Sequence, residues 1–267
     1  MKYYPDISHH KPVQDWQKVK AGCPFLISKA TQGTKFVDST LQQFVAACEN
    51  MGIPYWLYTF LNKGDEIAQA KFLVNTCKNI VGSHFVGYIL DAERDNHPQE
   101  LMEALLWLQK QGTKCMLYIG YKDCAKYSEV ISAMGSNCVL WEARYGLNDG
   151  SYNPKYPCHD RAALHQYTSK GTCPGLPAEV DLNRLTGLKP EYWFTLPFKK
   201  KVENEFYKAC DADEVSIVEA LESVGGNGSY SSRKKIAEAN GIKGYKGSYS
   251  QNVKMLSLLK EGKLRRY

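Results

Sequence analysis

Short apolar segments alternate with amphipathic stretches through the first two thirds of the chain. Eight segments have the length and the β-branched or aromatic content of strands, at residues 3–8, 25–29, 55–60, 85–91, 114–119, 139–143, 163–167 and 178–182. Four helix-length stretches carry apolar residues at i, i+3 and i+4, at residues 41–51, 65–80, 99–111 and 124–134. Strands that alternate with helices predict a parallel sheet covered by helices.

The last three predicted strands are joined differently from the early ones. The loops at 146–157 and 169–177 are too short or too rich in Gly and Pro for full helices. We therefore expect an α/β fold, a barrel of the (β/α) type whose later helices are degenerate or missing. A doubly wound open sheet is the alternative, although no GxGxxG follows an early strand to support nucleotide binding.

The pattern changes after Leu185. Two Pro residues bracket a short aromatic segment, and a charged stretch follows it. From about Asp213 the apolar spacing is helical throughout. Three helices are predicted there, with starts near Asp213, Ser231 or Ser232, and Ser248. We divide the chain into a barrel domain at 1–190, a linker at 191–212 and a small helical domain at 213–267.

The net charge of +6 is concentrated in the tail, where residues 198–267 hold 14 Lys and Arg against 9 Asp and Glu. A basic tail suits an anionic partner, and charge alone leaves nucleic acid, teichoic acid and anionic lipid open. No apolar run approaches the roughly 18 to 20 residues that span a bilayer, so we expect no membrane insertion. The first eight residues lack the pattern of a secretory signal, so we expect synthesis in the cytoplasm.

Nine cysteines are scattered along the chain without a CxxC, and His9-His10 is the one adjacent His pair. Structural zinc needs two close pairs of Cys or His, so we expect no zinc site. We expect most of the cysteines to be buried thiols that pack as small apolar side chains.

The most specific local signal is Asp91-Ala92-Glu93, which directly follows the apolar run Tyr88-Ile89-Leu90. Alternate residues of a strand face the same side, so Asp91 and Glu93 are expected to share a face with Cα atoms about 6 to 7 Å apart. In a barrel of parallel strands they emerge at the mouth where such folds carry out catalysis. Two solvated acids that open a loop are the alternative.

Two further acids occupy comparable positions. Asp6 lies in the first predicted strand and Asp181 in the last, and these strands are neighbours in a closed barrel. The four acids are therefore expected to converge. Crowded like charges raise the pKa of at least one acid, as a general acid that works near neutral pH requires. Acid clusters also bind Mg²⁺ or Ca²⁺.

Aromatic residues follow several predicted strands and weigh against a metal site. Sugars stack on such rings, although a single aromatic residue is more often part of the core. They are Tyr58, Phe60, Tyr118, Trp141, Tyr145 and Tyr167. We expect a carbohydrate-binding mouth with no metal and no cofactor.

From Tyr4 to Leu185 the chain resembles the family 25 glycoside hydrolases, lysozymes that cut bacterial peptidoglycan. The resemblance covers about two thirds of the chain and rests on the order of its motifs: DIS at 6–8, KATQGT at 29–34, DAE at 91–93, LWEARY at 140–145, HQYT at 165–168 and VDLN at 180–183. It implies an irregular TIM-like (β/α)5(β)3 barrel. One departure is Gln32, where many relatives carry Glu.

The resemblance also implies a reaction, cleavage of the β-1,4 bond from N-acetylmuramic acid to N-acetylglucosamine. Glu93 would be the proton donor, and Asp91 would orient and charge-stabilise the 2-acetamido group of the substrate. Asp6 and Asp181 would tune pKa values and bind sugar hydroxyls. The positions that match the substrate groove of the family are Lys29, Tyr58, Tyr118, Trp141 and Gln166, and Phe60 joins them as an aromatic residue of the mouth.

The helical tail is similar to three-helix cell-wall-binding modules of phage and bacterial lysins, through short motifs such as Ser232 to Ala237 and Asn252 to Leu259. A capping or dimerisation bundle is the alternative. We expect an N-acetylmuramidase that acts at the bacterial cell wall, with peptidoglycan and anionic wall polymers as partners and no nucleic acid. A phage endolysin released through a membrane pore is favoured, and a bacterial autolysin exported by another route is the alternative. Another barrel N-acetylhexosaminidase and a non-catalytic peptidoglycan-binding protein remain alternatives.

Overall fold

The computed structural model describes residues 2–197 and 205–267 and divides the chain into two compact units, Met1–Lys200 and Lys201–Tyr267. The strands of the first unit are β1 (Pro5–Ile7), β2 (Leu26–Gln32), β3 (Phe36–Val37), β4 (Tyr55–Phe60), β5 (Phe85–Asp91), β6 (Lys114–Gly120), β7 (Cys138–Ala143), β8 (Ala162–Gly171) and β9 (Val180–Leu185). Each of the eight predicted segments overlaps one of these strands. The two-residue strand β3 was not predicted.

Eight of the strands close into a barrel. Their order is β1-β9-β8-β7-β6-β5-β4-β2, and β2 pairs again with β1. Strand β9 runs antiparallel to both of its neighbours, whereas the other barrel pairs are parallel. The short strand β3 adds to β2 in antiparallel fashion. The α/β barrel expectation is therefore confirmed, and an open sheet is incompatible with this closure.

Helices cover the early part of the barrel. They are α1 (Trp16–Gly22), α2 (Leu41–Met51), α3 (Glu66–Cys77), α4 (Pro98–Gln109) and α5 (Ser128–Ser132), and α6 (Glu191–Thr195) follows the last strand. Helix α5 is shorter than predicted because residues 121–123 form a separate 3-10 turn. Within residues 2–197, no helix joins β7 to β8 or β8 to β9, as the Gly- and Pro-rich loops indicated.

Alternation along the strands separates two apolar layers. Trp56 and Ile89 face inward and belong to the cluster that fills the barrel. Their neighbours Leu57 and Leu90 face outward and pack in the cluster beneath the helices. Both layers exclude water, so the parallel strands are buried on both faces, as is usual for such sheets.

Helix α6 closes the end of the barrel where the parallel strands begin. Phe194 is fully buried and stacks on Phe25 with ring centroids 5.5 Å apart. Trp193 stacks on Trp56 at the same distance. The ammonium group of the buried Lys114 donates hydrogen bonds to two main-chain oxygens at the end of this helix. Helix α6 is therefore part of the first unit and acts as a plug that fills this end of the barrel.

The boundary between the units consequently differs from the linker expected at 191–212. Residues 191–197 pack into the barrel, and Tyr207 is buried in the core of the second unit. Residues 198–204 lie outside the described residues. The prolines at both ends of the aromatic segment suggested a linker. The apolar rings of this segment instead fill the end of the closed barrel, which the sequence alone does not reveal.

Replacing Phe194 with Ala should destabilise the first unit by about 3–5 kcal/mol, because it removes a fully buried ring and leaves a cavity. Tyr192→Ala is the matched control, since Tyr192 lies on the same helix but is 65% exposed, and it should change stability little. Urea unfolding followed by tryptophan fluorescence measures both. Equal destabilisation by the two substitutions would contradict the conclusion that the buried Phe194 ring stabilises this end of the barrel.

The second unit contains α7 (Ile217–Ser223), α8 (Tyr230–Ala239) and α9 (Tyr249–Lys260). Leu221, Ile236 and Leu259 are fully buried in its core. Across residues 2–197 and 205–267, no helix is both long and apolar enough to cross a membrane.

Serine side chains start the three helices of this unit. Ser248 forms a capping box with Gln251, and α9 begins at Tyr249, next to the predicted start. The first helix begins later than expected and the second earlier, because the hydroxyls of Ser216 and Ser229 accept hydrogen bonds from N–H groups three residues further on.

All nine cysteines are free thiols, and seven of them are buried. The expectation that most would pack as small apolar side chains is confirmed.

Candidate active site

The carboxyl ends of the parallel strands form the open rim of the barrel, and Asp91 lies there as the last residue of β5. It is the register partner of Phe60 in β4 and of Tyr118 in β6. Asp91 shares the inward face with Ile89 and is only 7% exposed. Among the described residues, none forms a hydrogen bond with its buried Oδ1. Such burial is costly, which is typical of a functional group.

Asp6 and Asp181 meet at the seam where the barrel closes. Asp6 in β1 is the register partner of Asp181 in β9. Because β9 is antiparallel to β1, a residue near the beginning of β9 lies beside the end of β1. The expectation of a closed barrel predicted that Asp6 and Asp181 lie close together. The sequence did not indicate that β9 runs antiparallel to β1.

Two side-chain amides hold the carboxylate of Asp6. Its Oδ2 accepts hydrogen bonds from Gln166 Nε2 at 2.9 Å and from Asn183 Nδ2 at 2.7 Å. Gln166 Oε1 accepts hydrogen bonds from the hydroxyls of Tyr118 at 2.8 Å and Tyr145 at 2.6 Å. The tyrosines therefore orient the Gln166 amide so that its N–H group faces Asp6.

Trp141 orients the second amide. Its Nε1 donates to Asn183 Oδ1 at 2.6 Å, which leaves Asn183 Nδ2 for Asp6. Trp141 and Tyr118 pack against each other with ring centroids 4.3 Å apart, and they are only 2% and 5% exposed. Both were predicted to contact substrate. That role stays a prediction, and in the structure both lie level with Asp91 and position the amides that hold Asp6.

Burial and mutual repulsion raise the pKa values of three acids. The pKa of Asp91 is well above its usual value, first because of burial and then because of the charges of Glu93 and Asp6. Burial and the charge of Asp181 raise the pKa of Asp6, although its two amide hydrogen bonds oppose the shift. Burial and Glu93 raise the pKa of Asp181 to about 6. The site therefore retains protons at pH values where isolated carboxyls are ionised.

Glu93 is exposed on the loop between β5 and α4. The fully buried Asn96 anchors this loop, because its Nδ2 donates to Glu66 Oε1 and to the main-chain oxygen of Asn62, both at 3.0 Å. The Tyr127 hydroxyl donates to the Asn96 main-chain oxygen at 2.9 Å. Glu93 thus extends to solvent from a loop whose backbone is held in place.

A cation lies among aromatic rings on the other side of Asp91. The ammonium group of Lys29 donates to Gln32 Oε1 at 2.7 Å and lies 5.0 Å from the Phe60 ring and 5.6 Å from the Phe36 ring. Burial lowers the pKa of Lys29, and the charge of Asp91 opposes that shift. Strand β3 supplies Phe36, which the sequence analysis did not identify.

The structure brings the ten predicted site residues to the rim or directly beneath it. Tyr58 is half-buried there, and burial followed by the charges of Asp91 and Asp6 raises its pKa well above the usual value. Asn183 was missed, although it lies two residues after Asp181 and therefore on the same face. Tyr145 was noted only as an aromatic residue, because its hydrogen bond to Gln166 depends on the path of a loop.

Among residues 2–197 and 205–267, no group of three or more His, Cys, Asp or Glu side chains is arranged to hold a metal ion.

Known proteins are similar to this chain in sequence or in fold. The autolytic lysozyme of Clostridium acetobutylicum is 23% identical over 180 residues, which are 64% of this chain and 52% of the relative. The chain thus spans about half the length of that curated relative. The catalytic domain of the endolysin Ply40 from bacteriophage P40 of Listeria monocytogenes is 25% identical, with a TM-score of 0.59 over 70% of this chain and 94% of that chain.

A further solved structure, GHIP, a glycosyl hydrolase 25 of Streptococcus pneumoniae, is 18% identical and shares the fold, with a TM-score of 0.62 over 73% of this chain and 92% of that chain. The family model of Glycosyl hydrolases family 25 matches residues 5–176, which include Asp6, Asp91 and Glu93. Because this match covers more than half of the chain, the protein belongs to glycosyl hydrolase family 25.

Proposed function

We propose that the protein is a peptidoglycan hydrolase of the N-acetylmuramidase type, a lysozyme that cleaves the β-1,4 bond between N-acetylmuramic acid and N-acetylglucosamine. The observation that carries the proposal is the pair of carboxyls at the barrel rim, a buried Asp91 with an unpartnered oxygen and an exposed Glu93 just beyond it. The names of two relatives, an autolytic lysozyme and a phage endolysin, support it. Its setting would be lysis of the bacterial wall by a phage endolysin.

In the proposed reaction, Glu93 donates a proton to the glycosidic oxygen as the bond to the anomeric carbon breaks. Its side chain is exposed and can reach a sugar bound across the rim, and the anchored Asn96 holds its loop. Proton donation by a positioned carboxyl accelerates such reactions by about 10²- to 10⁴-fold.

Asp91 acts on the positive charge that develops at the anomeric carbon, or it orients the 2-acetamido group that attacks this carbon. Without a positive partner, the charge of Asp91 is disfavoured by burial and by Glu93 and Asp6. The developing positive charge relieves this repulsion. The interaction is therefore stronger in the transition state than in the ground state, which is the condition for catalysis.

The remaining residues tune the acids or contact the substrate. Asp6 and Asp181 tune the pKa values of the neighbouring acids and bind sugar hydroxyls. Lys29, Tyr58 and Phe60 line the rim and contact the substrate. Three more residues contact the substrate and also orient the groups that hold Asp6, and they are Tyr118, Trp141 and Gln166.

We further assign the first unit to the irregular (β/α)5(β)3 barrel type and the second to a three-helix module that binds anionic wall polymers. Five helices between the first six barrel strands support the former. The basic surplus of the tail and the exposed rings of Tyr230 and Tyr249 support the latter. The full chain should sediment with purified walls, and removal of their anionic polymers should reduce this binding.

Mass spectrometry of the soluble fragments released from purified peptidoglycan, after borohydride reduction, tests the proposed reaction. Reduced ends on muramic acid are the expected result. Reduced ends on glucosamine would replace the muramidase with a glucosaminidase. An absence of fragments from several wall types would favour a protein that only binds peptidoglycan.

A further inference from the structure

Two cysteines that take no part in the proposed reaction are in contact at the seam of the barrel. The Sγ atoms of Cys23 and Cys173 are 3.5 Å apart, although the residues are 150 positions apart in the chain. Their side chains are 5% and 2% exposed. Cys23 directly follows helix α1, and Cys173 lies in the loop between β8 and β9.

The segments that carry these cysteines are held together by main-chain contacts. The oxygen of Gly175 accepts hydrogen bonds from the N–H groups of Gln14 and Asp15, at 2.9 and 3.1 Å. Gly175 has a φ of +86°, and a Cβ there would lie 2.3 Å from the Asp15 oxygen. Only glycine permits this approach, so the loop and the start of α1 have a defined position next to each other.

A second pair of neighbouring cysteines is less able to change its S–S distance. Cys115 and Cys138 are register partners in the adjacent strands β6 and β7, and the ladder of those strands restrains both. Cys23 and Cys173 lie outside the strands. A disulfide requires an S–S distance of about 2.05 Å, so side-chain rotation and small loop movements must bring their sulfurs about 1.5 Å closer.

We propose that Cys23 and Cys173 form an intramolecular disulfide when the protein meets a peroxide. The bond would fasten α1, which follows the Asp6 strand, to the loop that precedes the Asp181 strand. It would therefore fasten together the segments next to the first and last strands of the barrel, which pair with each other.

The chemistry needs one molecule of hydrogen peroxide per disulfide. The Cys173 thiolate attacks one oxygen, the O–O bond breaks, and the hydroxide that leaves takes up a proton to become water. Cys173 is now a sulfenic acid. Cys23 loses its proton and attacks the Cys173 sulfur, the S–O bond breaks, and the second hydroxide takes up that proton to become water. The contact with Cys23 lowers the pKa of Cys173, which favours its thiolate as the first nucleophile.

The test uses the purified full chain, first reduced and then exposed to hydrogen peroxide. After alkylation in denaturant and digestion, mass spectrometry should find one cross-linked peptide pair that joins Cys23 to Cys173, with the other cysteines alkylated. The melting temperature of the oxidised chain should exceed that of the reduced chain by roughly 5–10 °C, because the bond constrains a long segment of the unfolded chain.

Matched variants separate this bond from general oxidation. Cys173→Ser and Cys173→Ala should lose both the cross-link and the shift in melting temperature, whereas Cys210→Ser in the second unit should keep both. Full alkylation of all cysteines in the oxidised wild-type chain would overturn the proposal. So would a cross-link between Cys115 and Cys138 instead. Mapping of the wild-type chain decides the question even if a Cys173 variant fails to fold.

Discussion

Replacing Glu93 with Gln is expected to lower the turnover of peptidoglycan by about 10³-fold. Gln preserves the size and exposure of the side chain but has no acidic proton to give to the glycosidic oxygen. The loss should therefore appear in kcat, while KM changes little. The release of new reducing ends from purified walls measures both constants for the two proteins.

Glu129→Gln provides the matched control. Glu129 is an exposed glutamate of α5 in the same unit, so its loss of charge should leave turnover unchanged. A Glu93→Gln protein with wild-type kcat would show that another group donates the proton. Equal losses in both variants would point to a general effect of surface charge on binding to the wall.

Side-chain alternation made most of the site predictable from the sequence. It placed Asp91 at the mouth of the barrel, and the same alternation puts Trp141 and its neighbour Glu142 on opposite faces. In the structure Trp141 faces inward, whereas Glu142 is buried outside the barrel, where its Oε2 accepts hydrogen bonds from Cys124 Sγ at 3.3 Å and the main-chain N–H of His159 at 2.9 Å. Local periodicity carries this information because it depends only on the backbone of one strand.

Features that depend on distant parts of the chain were not predictable in this way. Strand β9 lies between β1 and β8 and is antiparallel to both, and its own residues do not specify this direction. The plug formed by Phe194 depends on an opening that exists only once the barrel has closed. The hydrogen bond from Gln166 to Asp6 joins residues 160 positions apart. Such contacts require the closed barrel, which no local pattern describes.

Replacing Asp91 with Asn is expected to lower turnover by about 10²- to 10³-fold and, at neutral pH, to stabilise the protein. Burial and the charges of Glu93 and Asp6 raise the pKa of Asp91, and they outweigh the opposing charge of Lys29. The folded chain therefore binds this proton more tightly than the unfolded chain does. Stability falls as pH rises from about 3.9, the usual pKa of Asp, through the raised value, and the loss is complete above it.

The Asn variant has no charge to bury and avoids this loss. Its free energy of unfolding should exceed that of the wild type by about 0.5–2 kcal/mol at pH 7.5, and the difference should shrink as pH falls toward 4. Urea unfolding at both pH values measures it, and Asp160→Asn, at an exposed position in the same unit, should show no such trend. A variant no more stable than wild type at pH 7.5 would mean that the folded protein accommodates the Asp91 charge. A gain in stability together with a loss of turnover would mean that the buried Asp91 charge serves the reaction and lowers the stability of the folded protein.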